Sequence, residues 1–179
     1  MERLEPIFSS KQVSERIAEL ASEISQSYKG VQEPVVFVCV LKGAFVFFAD
    51  LLRQVDLQPE IEFVRLASYG AGTTPSQEVT LSQDVEVYLQ GKHVLIVEDI
   101  VDTGRTVDYL RRELGKREVA SLGVSCLIHK LERREVDADP DFVCFTVDSG
   151  FVVGCGLDYA ERYRGLSTIN KVIFSQEKE

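Results

Sequence analysis

Short, wholly apolar runs alternate with amphipathic stretches along this chain, and that alternation constrains its fold more than any other feature. Val35–Val40 reads VVFVCV, His93–Val97 reads HVLIV and Leu122–Ile128 reads LGVSCLI. Apolar side chains on both parities of a short run are the pattern of a strand covered on both faces. Ser9–Ser27 reads instead as a helix, with Val13, Ile17, Leu20, Ala21 and Ile24 at three- and four-residue spacing. Ser9 and Gln12 stand where a capping box would begin it, and Lys29-Gly30 where it would end. After Leu41-Lys42-Gly43 a second helix is expected, turning Phe45, Phe48, Ala49 and Leu52 inward, and a third through Val107, Leu110 and Leu114. Strands alternating with helices require right-handed crossovers, which predicts an α/β fold on a mainly parallel sheet.

The remaining segments predict a strand over Ile61–Leu66 and antiparallel strands over Val79–Leu81 and Val85–Leu89. Short strands are expected at Phe142–Val147, Phe151–Val153 and Val172–Phe174. With no repeat, low-complexity tract or linker, residues 1–179 are expected to form one domain, burying roughly two-thirds of the unfolded surface. The net charge of -9 opposes binding to nucleic-acid phosphates in bulk, yet a few local donors can still hold one small anion. No C-x-x-C spacing occurs among Cys39, Cys126, Cys144 and Cys155, so neither a disulfide framework nor a zinc site is expected. The start, MERLEPIFSSKQ, lacks the apolar core of a secretory leader, and no run approaches a membrane span; a cytoplasmic protein is expected.

Chemistry concentrates in Glu98-Asp99-Ile100-Val101-Asp102-Thr103-Gly104-Arg105-Thr106, at the end of the His93–Val97 strand. In parallel sheets ligands bind beyond the carboxyl ends of the strands. Asp102 to Thr106 precede a helix, whose free N–H groups suit a phosphate, and Gly104 lets the backbone approach it closely. The hydroxyls of Thr103 and Thr106 can add donors. Glu98, Asp99 and Asp102 would repel a bare phosphate, and make sense if they bind sugar hydroxyls, a divalent cation or a reacting proton. A Walker A loop is excluded because its first glycine would fall on Asp99, and a dinucleotide fingerprint fails at Gly70-Ala71-Gly72-Thr73-Thr74-Pro75. The Ser68–Gln77 stretch, rich in Gly, Ser, Thr and Pro, is long enough to suggest a functional loop.

The string VLIVEDIVDTGRT resembles the phosphoribosyl-pyrophosphate motif of type I phosphoribosyltransferases. Gly150–Arg164 resembles the base-binding region of the hypoxanthine-guanine members. Leu41-Lys42-Gly43, Ser68-Tyr69-Gly70, Lys130 and Pro140-Asp141-Phe142 match in order. The resemblance covers nearly the whole chain. It implies a type I phosphoribosyltransferase fold: a central, mainly parallel sheet flanked by helices, with a small hood and a mobile lid at Ser68 and Tyr69.

By the same resemblance, Thr103, Gly104, Arg105 and Thr106 hold the sugar's phosphate, with Arg105 contributing backbone because its position varies. Lys42, Gly43 and Arg164 hold pyrophosphate. Glu98 and Asp99 contact ribose hydroxyls and Mg2+, and Asp158 a second Mg2+ through water. Asp102 takes the N7 proton. Phe151 stacks on the purine, Val152, Leu157 and Asp158 line its edge, and Lys130 donates to the 6-oxygen. Taken singly, Phe151 reads as a core strand residue, Lys130 as a solvated charge and Arg164 as a helix-end cation. The expected partners are a 6-oxopurine and 5-phosphoribosyl 1-pyrophosphate, with no nucleic acid or membrane. Phe45, Phe47 and Phe48 on one short helix suggest a homodimer or homotetramer. A sugar-pyrophosphate sensor without catalysis is the rival reading, and an adenine or pyrimidine phosphoribosyltransferase a third.

Overall fold

The structure is a computed structural model, and it describes residues 2–69 and 78–174; at 68, 69, 78 and 79 only the backbone is described. The elements run β1 (Glu2–Phe8), α1 (Ser10–Ser27), β2 (Val35–Leu41), α2 (Phe45–Leu52), β3 (Glu60–Tyr69) and β4 (Glu78–Gln83). They continue with β5 (His93–Val101), α3 (Arg105–Gly115), β6 (Ser121–Lys130), β7 (Phe142–Val147), β8 (Val152–Val153) and β9 (Ile169–Phe174). The larger sheet has the order β4-β3-β2-β5-β6-β7, and the smaller, the hood, the order β1-β9-β8. All pairings in the larger sheet are parallel except that of β3 with the edge strand β4. The α/β architecture expected from the alternation is therefore present.

Two apolar layers explain why β2 and β5 carry no polar parity. Phe37, Cys39, Leu95 and Val97 point to the layer that α1 and α2 cover. Val36, Val38, Val94 and Ile96 point to the layer under Val107, Leu110 and Leu114 of α3. In α1 the five expected residues are the buried ones, and Ser9 with Gln12 forms the capping box. The box contributes about 1 kcal/mol. Each buried Leu or Ile contributes about 1.5–3 kcal/mol. Packing thus holds the helix, and the cap fixes where it begins. All four cysteines are free and buried, and burial pushes the Cys39 thiol up to about 12, so they act as small hydrophobes. Among the described residues no helix is long and apolar enough to cross a membrane.

Four local expectations need correction. The inward face of α2 is Phe47, Phe48 and Leu51, while Phe45 is 46% exposed. Four consecutive apolar residues, Phe45 to Phe48, leave the helical phase unmarked, and the buried turn at Ala44 sets it instead. Val85–Leu89 alternates in burial but forms no strand; Glu86 N–H donates to the Glu62 carboxylate at 3.0 Å. One-sided burial alone does not require a ladder. The strand expected at Phe151–Val153 begins at Val152. Strand β5 continues past Val97 to Val101, because Glu98, Ile100 and Val101 stay in register with Cys126, Ile128 and His129. The N-terminal strand β1 was not foreseen. It carries Pro6 and alternating charges, as suits an edge, and its pairing with β9 slips between Pro6 and Phe8.

Chain order in the larger sheet reverses between β2 and β5. Both strands lose a neighbouring crossover there, which opens a crevice beyond their carboxyl ends. Leu41-Lys42-Gly43 leaves β2 at that point, and Glu98 to Val101 end β5.

Candidate active site

At the crevice floor three segments touch. The Leu41–Lys42 peptide is cis. A Cβ on Gly43 would lie 1.5 Å from Asp99 Oδ2, and a Cβ on Gly156 would lie 2.0 Å from the Gly43 carbonyl oxygen. Glycine at 43 therefore lets the Asp99 carboxylate pack against the turn, and glycine at 156 lets the hood loop rest on it. Glu98 is 7% exposed, and its Oε2 has no hydrogen-bond partner. Burial first, and then the charge of Asp99, hold the Glu98 carboxyl well above the usual carboxylate range. Asp99 is also raised by burial, against the opposing pull of the Ile100 N–H that it accepts at 2.7 Å. A buried acid with an orphaned oxygen, beside a half-buried one, suits a hard cation or sugar hydroxyls. Among the described residues no three acidic, His or Cys side chains converge as a ready-made metal cage. A magnesium ion here would take one or two carboxylates and draw its other ligands from substrate and water.

Beyond β5 the chain turns through Asp102, Thr103 and Gly104 into α3. Gly104 caps the helix at φ 85° and offers it no side chain. Thr103 Oγ1 accepts from Arg105 N–H at 3.4 Å, which leaves the other first-turn N–H groups to a ligand. The turn is clasped from below: Thr103 O accepts from Glu135 N–H at 3.0 Å and Val136 N–H at 3.2 Å. Asp102 Oδ1 is buried without a hydrogen bond. Lys130 Nζ stands 3.8 Å from Oδ1, and Arg133 Nη1 3.6 Å from Oδ2. Two cations thus keep Asp102 company while an acceptor oxygen stays free.

Lys130 is 7% exposed at the end of β6, far from the solvated charge that a strand-end lysine suggests. Its second neighbour is Glu132, at 3.7 Å, and Glu132 also accepts from Gly150 N–H at 3.2 Å. That link joins Lys130 to the segment bearing Phe151. Val152 and Leu157 are buried, whereas Phe151 is 44% exposed, its ring meeting Tyr159 edge-on at 5.6 Å. Phe151 is therefore not the core residue its neighbours suggest. Arg164 donates to Gly156 O at 2.9 Å and pairs with Asp158 at 2.8 Å and Glu161 at 3.2 Å. Lys42 reaches the same Glu161 at 3.3 Å. Asp158 has one oxygen on Arg164 and the other on the Glu161 N–H.

The structure thus gathers Lys42, Gly43, Glu98 and Asp99 with Arg164, and Asp102 with Lys130. Side chains of Ser68 and Tyr69, and residues 70–77, lie outside the described residues. Sequence reasoning missed Arg133, Arg134 and Glu161. Arg134 Nη1 lies 2.8 Å from where a Gly104 Cβ would stand, and its Nη2 pairs with Asp139 at 3.2 Å. In sequence these three look like any surface charges.

A twisted parallel sheet with a hood, and an acid-rich turn opening a helix at its switch point, define a family. The family described as "Phosphoribosyl transferase domain" matches residues 4–160. The chain belongs to this phosphoribosyltransferase family, among its hypoxanthine phosphoribosyltransferase members. It is 44% identical over 171 residues to the hypoxanthine phosphoribosyltransferase of Haemophilus influenzae, covering 95% of this chain and 96% of that one. It is 41% identical over 160 residues to the hypoxanthine-guanine phosphoribosyltransferase of Streptococcus thermophilus, covering 89% and 88%. A crystal structure of a hypoxanthine-guanine phosphoribosyltransferase from Bacillus anthracis superimposes with a TM-score of 0.88 at 35% identity, covering 97% of this chain and 100% of that one.

Proposed function

We propose that this enzyme serves purine salvage, moving the 5-phosphoribosyl group from 5-phosphoribosyl 1-pyrophosphate to N9 of hypoxanthine or guanine. The observation that carries the reading is the helix start at Gly104, whose cap residue brings no side chain, beside the orphaned carboxylates Glu98 and Asp102. Amides of Thr103 to Thr106 hold the 5′-phosphate, with Arg105 contributing main chain while its guanidinium pairs with Glu135 at 2.5 Å. Glu98 and Asp99 hold the ribose hydroxyls and Mg2+, which when bound neutralises charge on the pyrophosphate. Lys42, the Gly43 turn and Arg164 hold the pyrophosphate oxygens.

The purine slides against Phe151, with Val152, Leu157 and Asp158 along its edge. Lys130 offers three donors and no acceptor, so it accepts a 6-oxo group and opposes a 6-amino group. As the C1′–oxygen bond to pyrophosphate breaks, C1′ takes on oxocarbenium character and bonds to N9. The proton on N7 passes to the free oxygen of Asp102, and pyrophosphate leaves with the bond electrons.

The exposed Phe45, Ile61 and Phe63 support a homodimer or homotetramer, and four reduced thiols support a cytoplasmic setting. The binding-only sensor loses ground because the similar proteins are named as transferases. A spectrophotometric assay with hypoxanthine, guanine, xanthine and adenine, each with the sugar pyrophosphate and magnesium, tests the reading. Turnover is expected with hypoxanthine or guanine and not with adenine. Binding of the sugar pyrophosphate without product from any base would restore the sensor. Lys130→Ala is expected to weaken use of the 6-oxopurine by about ten- to a hundred-fold, as loss of a charged hydrogen bond does. An unchanged base preference would remove Lys130 from this role.

A further inference from the structure

Both cations given above to pyrophosphate are already engaged, and by one carboxylate. Lys42 Nζ lies 3.3 Å from Glu161 Oε1, and Arg164 Nη2 lies 3.2 Å from Glu161 Oε2. Lys42 Nζ also lies 3.4 Å from Oε2, so the one carboxylate bridges the two cations, as an anionic group of the substrate would. The backbone presents Glu161 for this: its φ is 61°, Ala160 before it has φ 50°, and its N–H donates to Asp158 Oδ2 at 2.8 Å. Arg164 does not depend on Glu161 for its place, because Gly156 O and Asp158 hold it at 2.9 and 2.8 Å. Among the described residues Lys42 has no other carboxylate partner.

We infer that Glu161 is a built-in competing anion, which occupies Lys42 and Arg164 in the empty enzyme and is displaced by the pyrophosphate group, thereby limiting how tightly that group is held. This rests on the reading that Lys42 and Arg164 bind pyrophosphate. The side chains of Lys42 and Glu161 are 52% and 66% exposed, so the pair they form is screened and weak. A multiply charged diphosphate with magnesium can replace it at little cost, and the carboxylate has open solvent to swing into. Left in place, it would repel the incoming oxygens. The net effect is a site that accepts pyrophosphate yet releases it readily.

The alternative is that Glu161 merely steadies the two cations, and the two roles have opposite signs. Glu161→Gln keeps the size and the backbone donor but removes the charge. Isothermal titration of the full chain with magnesium pyrophosphate is expected to show about two- to five-fold tighter binding for this variant at low salt, the scale of an exposed ion pair. The advantage is expected to shrink as salt is added. Unchanged or weaker binding overturns the inference. Lys42→Ala and Arg164→Gln in the same titration separate the two levels. If they weaken binding while Glu161→Gln fails to tighten it, the pyrophosphate site stands and the competing anion falls. If neither weakens binding, both fall.

Discussion

Asp102→Asn is expected to lower turnover by about 10²–10⁴-fold, the usual worth of a positioned general base. Asparagine keeps the shape of the side chain but cannot accept a proton at neutral pH. Binding of the sugar pyrophosphate should survive, since the amides of the turn and the Glu98–Asp99 pair are untouched. The geometry supports a proton acceptor: one oxygen of Asp102 is buried without a hydrogen bond, and Lys130 and Arg133 stand at 3.8 and 3.6 Å. At those distances neither cation fills an acceptor position of the carboxylate. Steady-state turnover together with a direct titration of the sugar pyrophosphate separates chemistry from binding. Near-normal turnover in the variant would strip Asp102 of the role.

Gly43→Ala is expected to cost about 10²-fold in kcat/KM, the scale of an ångström's misplacement at a reacting centre. The new methyl would lie 1.5 Å from Asp99 Oδ2, so the Asp99 carboxylate must rotate away from its place beside Glu98. Gly43 does not have positive φ, so the backbone itself accepts alanine. The clash is with the tip of a side chain rather than with main chain. Activity should therefore fall much further than stability. Kinetics alongside a thermal melt test this; an active variant would show that the close packing of Gly43 on Asp99 is incidental.

The layered sheet was legible in the sequence because β2 and β5 are apolar on both parities and α1 carries a clean stripe with its own cap. These are local signals, and local physics decided them. Where several apolar residues follow one another, as in Phe45 to Phe48, the pattern gives no phase, and tertiary contact at Ala44 supplied it. The strand β1 escaped because Glu2 to Phe8 pairs only with β9, at the other end of the chain. Val85 to Leu89 misled in the opposite way, since alternating burial arose without a partner strand.

The candidate site divides along the same line. Glu98 to Thr106 is one continuous string at a strand end, so it could be read without a fold. The buried state of Lys130 and the exposed state of Phe151 run against what each suggests alone, and only their matching order in a resembling family singled them out. Glu161, Arg133 and Arg134 were invisible because their meaning lies in contacts with residues 30 to about 120 positions away, or in the packing of one turn beneath another.

A crystal soaked with inosine monophosphate examines the central claim most directly. Phosphate oxygens are expected about 2.7–3.2 Å from main-chain nitrogens between Thr103 and Thr106, with the ribose facing Glu98 and Asp99. Nucleotide lodged elsewhere, with that helix start bare, would contradict the account.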